Sequence, residues 1–195
     1  MRDIALFVED QAHKEFLAAL LQRLAGEAGV EIRMDWRNAR RGHGAVVTEL
    51  KQYFRDLMRG RDRLPDLIVV ATDANCKGLV ERLRQVNAVT DKALVQTVCA
   101  VPDPHIERWL LADSAAFKAV FGRGCAAPDA KCERSRYKKM LVDAIRATGI
   151  APSLGGIEFA DDIVGAMDLS RVAGSDASLG RFIEEARKVF KGWRA

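Results

Sequence analysis

Leu67-Ile68-Val69-Val70-Ala71-Thr72-Asp73-Ala74-Asn75-Cys76-Lys77-Gly78 is the stretch on which the reading of this chain turns. Its five leading apolar residues are too few for a helix. They are also too uniformly apolar for a strand with one wet face, so they predict a strand buried on both sides in a parallel sheet. The run ends at Asp73. Gly78, which tolerates the backbone angles of a sharp swing, opens an amphipathic segment with Leu79, Val80, Leu83 and Val86 on its inner face.

The same unit recurs on either side. Upstream, residues 3–8 form a short apolar run, and residues 11–25 carry Phe16, Leu17, Leu20, Leu21 and Leu24 on one helical face. A strand at 30–36 and a helix bearing Val46, Val47, Leu50, Phe54, Leu57 and Met58 follow. Downstream, a strand at 93–101 stops at Pro102 and Pro104, and a helix begins near His105 with Ile106, Trp109 and Leu110 inward. This alternation predicts an α/β, Rossmann-like fold: a mostly parallel four-stranded sheet flanked by helices. Beyond residue 114 only helical patterns remain, at 134–148, 159–168 and 178–191, with loops at 122–131 and 152–156. Residues 1–113 therefore read as the α/β core. Residues 114–195 read as a C-terminal helical layer on the same domain, since their apolar residues are too few for a separate core.

In an open α/β sheet the carboxyl ends of the strands share one edge, where ligands bind. Acidic residues stand at three exits: Glu9-Asp10, Asp73 with Asn75, and Glu107. Glu9, Asp10, Asp73 and Asn75 would supply the oxygen ligands that Mg²⁺ or Mn²⁺ requires, and Glu9, Asp73 and Glu107 the catalytic groups. Each has a purely structural alternative. Asp10 suits a helix N-cap, Glu107 a first helical turn, and Asp73 with Asn75 an ordinary turn. His13 and Lys14 read as exposed helix positions, Asp103 as a cap for the helix after it, His105 as a phosphate or water contact, and Trp109 as core.

Composition narrows the class. The 195 residues are 49% hydrophobic and 30% charged, ordinary for a globular domain. No apolar run approaches the roughly 18 residues of a membrane span, and a strand begins almost at once, so the expectation is a cytoplasmic chain without membrane partners. The four cysteines form no C-x-x-C pair, which predicts reduced thiols and argues against zinc. Net charge is only +4. Arg37, Arg40 and Arg41 form the densest basic cluster, and with Lys77 they are the candidates for neutralising nucleic-acid phosphates. The alternative is a solvated basic loop.

Taken in order, these segments resemble the topoisomerase–primase (Toprim) domain. Val8-Glu9-Asp10 stands where that family has V-E-G, and Ile68 to Asn75 where it has a hydrophobic strand and D-x-D. Pro104-His105-Ile106-Glu107-Arg108-Trp109-Leu110-Leu111 is similar to a segment of small stand-alone Toprim proteins of the RloB group and of overcoming-lysogenization-defect relatives. The resemblance spans about residues 3–112. It implies Mg²⁺-dependent hydrolysis of DNA or RNA phosphodiesters in anti-phage defence, beside an ABC-type ATPase, with a homo-oligomer as one possible state. No tyrosine stands where covalent strand passage would need it. Asp10 in place of Gly and Asn75 in place of Asp depart from the pattern. The Asn75 change leaves open a catalytically weak binding or regulatory subunit as the alternative. A receiver-like phosphotransfer protein, with Asp73 as acceptor, lacks the lysine that it needs after the last strand.

Overall fold

A computed structural model describes residues 1–38, 42–91, 95–133 and 135–194. Four strands, β1 (Arg2–Val8), β2 (Ile32–Asn38), β3 (Leu67–Ala71) and β4 (Thr97–Ala100), form one sheet in the order β2-β1-β3-β4, with every pair parallel. Helices α1 (Gln11–Glu27), α2 (His43–Met58), α3 (Leu79–Thr90) and α4 (Ile106–Leu110) alternate with them. There follow α5 (Ser114–Phe121), α6 (Arg136–Arg146), α7 (Ala160–Ala166), α8 (Leu169–Ser175) and α9 (Ala177–Gly192).

Strands β1 and β3 alternate their side chains between two apolar layers, whereas the edge strand β2 turns Ile32, Met34 and Trp36 to the core and leaves Arg33 and Asp35 exposed. Ile4, Leu6 and Val8 point with Val69 and Ala71 into the larger core, shared with α1, α4, α5, α6, α7, α8 and α9. Ala5, Phe7, Ile68 and Val70 point the other way, onto Val46, Leu50 and Tyr53 of α2 and Val86 of α3. Helix α1 follows its apolar period closely: Phe16, Leu17, Leu20 and Leu21 are fully buried, each worth about 1.5–3 kcal/mol of transfer free energy. Helices α7 and α9 pack directly on α1, so the helical tail completes the core begun by the first strand.

Several sequence expectations need correction. β4 is shorter than 93–101, beginning at Thr97; residues 92–94 lie outside the described residues. β2 runs two residues later than 30–36. Val80 is 81% exposed, because the inner stripe of α3 is Leu79, Leu83 and Val86 with Arg82 beside it. Helices α5 and α8 were not anticipated. Asp113 caps the first by accepting from Ala115 N and Ala116 N, and Asp168 caps the second in the same way. The thiols are not all reduced: Cys76 and Cys132 form a disulfide, with Cα atoms 5.4 Å apart, while Cys99 and Cys125 are free. The bridge ties the 3-10 turn Asn75–Lys77, just after β3, to the loop before α6. No helix among the described residues is long and apolar enough to cross a membrane.

Candidate functional site at the carboxyl edge of the sheet

Register brings the acidic exits together. Val8 pairs with Ala71, and Ala71 with Ala100, so Glu9 and Thr72 leave the sheet at the same level. Glu9 Oε2 accepts from Thr72 Oγ1 at 2.6 Å and from the Asp73 backbone N–H at 3.2 Å. A carboxylate only accepts, so the Thr72 hydroxyl proton is committed to Glu9. His43 Nδ1, 3.2 Å from Thr72 Oγ1, must then be the donor at that contact, which assigns the histidine tautomer by inference. Burial, with the positive charges of Arg82 and Lys77, pushes the His43 pKa down to about 4, so the ring is neutral at ordinary pH.

Asp73 is held from three sides. Its Oδ1 accepts from Ile106 N at 2.9 Å and lies 3.1 Å from His13 Nε2. Its Oδ2 meets His105 Nδ1 at 3.0 Å. Burial raises the Asp73 pKa, but the charges and hydrogen bonds of His13 and His105 more than reverse that, and the carboxyl stays below its ordinary range. His13 Nδ1 is 2.8 Å from Asp10 Oδ1, the same oxygen that caps α1 by accepting from His13 N. The line Asp10–His13–Asp73–His105 thus runs across the mouth of the sheet. Burial works against the His13 charge, yet Asp73 and Asp10 together raise its pKa well above 6.5. His105 is raised chiefly by its hydrogen bond to Asp73. Against the opposing effect of burial, His13 holds the Asp10 pKa down at about 2.

His13 therefore corrects the expectation of an exposed helix residue, being fully buried. The capping expectation for Asp103 is displaced by one helix: its Oδ2 accepts from Leu79 N at 3.3 Å, at the start of α3. The N-terminus of α4 is served instead by Asp73. Trp109 is core, as expected, with its indole N–H on Ser178 Oγ at 2.8 Å.

Glu107, in the first turn of α4, joins the acidic group. Its pKa is raised first by burial and then by the charges of Asp73 and Asp10. Among the described residues Asn75 meets the Asp73 main chain with its side chain, and not the Asp73 carboxylate. It takes a left-handed backbone, with φ 51°, and its amide nitrogen lies 3.4 Å from the Asp73 carbonyl oxygen, closing its own turn. Lys77 is exposed, and its charge reaches His43. Arg37 is turned elsewhere, paired with Asp62 at 2.7 Å and lying over the Tyr53 ring. Arg40 and Arg41 lie outside the described residues. Sequence reading missed Thr72, His43 and Arg82. Arg82, on α3, is only 4% exposed and feels the charges of Glu9 and Asp73.

A dication would find an incomplete cage here. Among the described residues, no three His, Cys, Asp or Glu side chains are grouped to hold a metal. An accounting of lone pairs shows what remains. Asp73 Oδ1 is filled by two partners and Oδ2 by one. Among the described residues the Glu9 hydrogen bonds involve Oε2 only and those of Asp10 involve Oδ1 only, which leaves Glu9 Oε1 and Asp10 Oδ2 as donors to a cation. Oxygen donors of this kind suit a hard cation. Away from this edge, a cavity of about 100 Å³ lined by Asp3, Arg33, Tyr53 and Pro65 lies toward the opposite ends of the strands and holds none of these groups.

The family model for DUF4276, a domain of unknown function, matches residues 8–185, from the last residue of β1 into α9. No curated protein and no solved structure matches the chain.

Proposed function

The chain belongs to the DUF4276 family, a domain of unknown function, and from its site we propose a Mg²⁺- or Mn²⁺-dependent phosphodiesterase of Toprim-like type acting on nucleic acid. The observation that carries this reading is the gathering of Glu9, Asp10, Asp73 and Glu107 at one sheet edge, close enough that Asp73 and Asp10 raise the Glu107 pKa. Like charges packed together cost free energy unless a cation joins them. Glu9 Oε1, Asp10 Oδ2 and the Glu107 carboxylate would hold the ion, and the remaining lone pair of Asp73 Oδ2 would complete the set. A bound dication would stabilise charge on the scissile phosphate and lower the pKa of an attacking water. Asp73 is kept ionised by His13 and His105, and Glu9 is oriented by Thr72. Burial and the neighbouring carboxylates raise the Glu107 pKa, the direction that suits a group exchanging protons with a reacting water. The likeness of residues 8–10, 68–75 and 104–111 to stand-alone Toprim proteins supports a cytoplasmic role in anti-phage defence beside an ABC-type ATPase.

A second reading, a non-cutting binding or regulatory subunit, is favoured by one feature. Asp73 spends three of its four lone pairs on the protein, and Asn75 is spent on its own turn. Mn²⁺ titration followed by electron paramagnetic resonance, beside cleavage assays on plasmid DNA and RNA, tests both. Glu9→Gln is expected to weaken Mn²⁺ binding at least about tenfold, the loss of one charged ligand being worth more than about 1.4 kcal/mol, and to abolish cleavage. Unchanged Mn²⁺ affinity in Glu9→Gln would remove this site from consideration. Nucleic acid bound but uncut with every metal would select the second reading.

A further inference from the structure

Arg82 is a buried cation without an adequate partner. Its residue is 4% exposed, yet its one side-chain hydrogen bond among the described residues runs from Nη1 to the neutral Gln85 Oε1, at 3.1 Å. Its Nε is buried with no partner among the described residues. A guanidinium carries five N–H donors and is stable in the interior only when an anion or several acceptors meet it. The negative charges that act on it are those of Glu9, then Asp73, then Glu81, and among the described residues none of the three reaches it as an ion pair.

A second cation, Lys77, and the head of α2 lie near Arg82. His43, the first residue of α2, stands within reach of Arg82, Lys77 and Gln85. Helix α2 is 16 residues long, and Gly42 before it offers no side chain to cap the first-turn N–H groups. Gly42 itself has φ 77° and ψ −175°, a backbone that side-chain-bearing residues avoid, and a Cβ there would stand 3.5 Å from Glu9 Oε1. The main chain at the head of α2 therefore passes close to Glu9 with nothing between.

We infer that Arg82, Lys77 and the first turn of α2 form a phosphoryl-binding subsite adjoining Glu9, with Arg82 as its buried anchor. The planar fork of Arg82 suits two oxygens of a phosphate group, and the head of α2 supplies backbone donors as helix N-termini do for other phosphates. In identifying that group with the phosphate to be cleaved, the inference rests on the phosphodiesterase reading. Anion binding itself does not depend on metal.

The test uses the full chain in low-chloride buffer with EDTA, following arginine Nε–Hε resonances by ¹⁵N NMR. Addition of inorganic phosphate, or in a second arm a short single-stranded oligonucleotide, is expected to shift the Arg82 resonance and not that of Arg84, which is paired with Glu81 on the same helix. A larger response to the oligonucleotide assigns the subsite to the nucleic-acid backbone. Response to inorganic phosphate alone assigns it to a small phosphorylated ligand; both support the subsite. Arg82→Gln is expected to weaken phosphate binding at least tenfold, Arg82→Lys less, and Arg84→Gln not at all. An unresponsive Arg82 resonance in the unmodified protein, or phosphate bound equally well by folded Arg82→Gln, overturns the inference. A protein that binds phosphate at Arg82 but no Mn²⁺ at Glu9 keeps the subsite and loses the phosphodiesterase reading; the converse loses the subsite alone.

Discussion

His13 holds two carboxylates at once from a position with no access to water. Replacing it by alanine leaves Asp73 buried with only His105 of its two histidine partners, and removing one member of a buried charged set costs about 3–5 kcal/mol. We expect His13→Ala to lower the urea midpoint accordingly. The pH dependence follows from the directions of the shifts. The folded His13 pKa lies above 6.5, so its contribution is complete below pH 6.5 and is lost as pH rises through the folded value. Asp10 and Asp73 are lowered from 3.8, so theirs is complete above that value and lost as pH falls. Urea melts should show the greatest stability between roughly these limits, and His13→Ala should lessen the decline on the alkaline side to the share of His105, whose pKa is also raised. Glu9 and Asp73 could be singled out in the sequence because each ends an unbroken apolar run. His13 could have been found as well: it lies three residues before Phe16 and four before Leu17, on the same helical stripe. Its polar identity concealed a position that the period of α1 marks as inward. Arg82 was harder, since nothing local announces that a charged residue beside Leu83 will be enclosed.

At the scale of elements, the long helices and the buried strands were legible because each repeats its pattern over two or more turns or an uninterrupted run. Helices α5 and α8 were not, for they are 8 and 7 residues long and complete too few turns for a stripe to show. Their boundary signals were nonetheless present: Asp113 before the first with Gly122 after it, and Asp168 before the second. The exchange of caps, in which Asp73 serves α4 and Asp103 serves α3, was invisible because capping was sought next door in sequence, whereas adjacent strand exits swap partners in space. Gly180 shows how tightly two elements can be joined. A Cβ added there would collide with the Ala173 carbonyl oxygen, backbone that cannot rotate aside. Gly180→Ala, ordinarily favourable in a helix, is therefore expected to destabilise by about 1–3 kcal/mol through overpacking at the α8–α9 contact. Thermal melts read the effect, and Gly174→Ala, with open space at its Cβ, is the matched control.

For the whole molecule, a parallel sheet covered on both faces follows from strand hydrophobicity, but the order β2-β1-β3-β4 and the Cys76–Cys132 bridge do not. Cysteine spacing without a motif carries no pairing information, and only the fold brings residues 56 apart to a Cα separation of 5.4 Å. Chain-entropy arguments for a loop of that size give about 4 kcal/mol of stabilisation. Guanidinium melts with and without a phosphine reductant should differ by an amount of that order, and Cys132→Ser should be insensitive to the reductant. An unchanged midpoint would mean that the bridge is not formed in solution. The packing of α1 has a consequence for how the chain reaches this state during synthesis. Phe16, Leu17, Leu20, Leu21 and Leu24 leave the ribosome early, whereas α7 and α9, which help to bury them, emerge more than a hundred residues later. At about 5–20 residues per second, that apolar stripe waits several seconds for its cover, which makes it the segment of the nascent chain with most need of a chaperone.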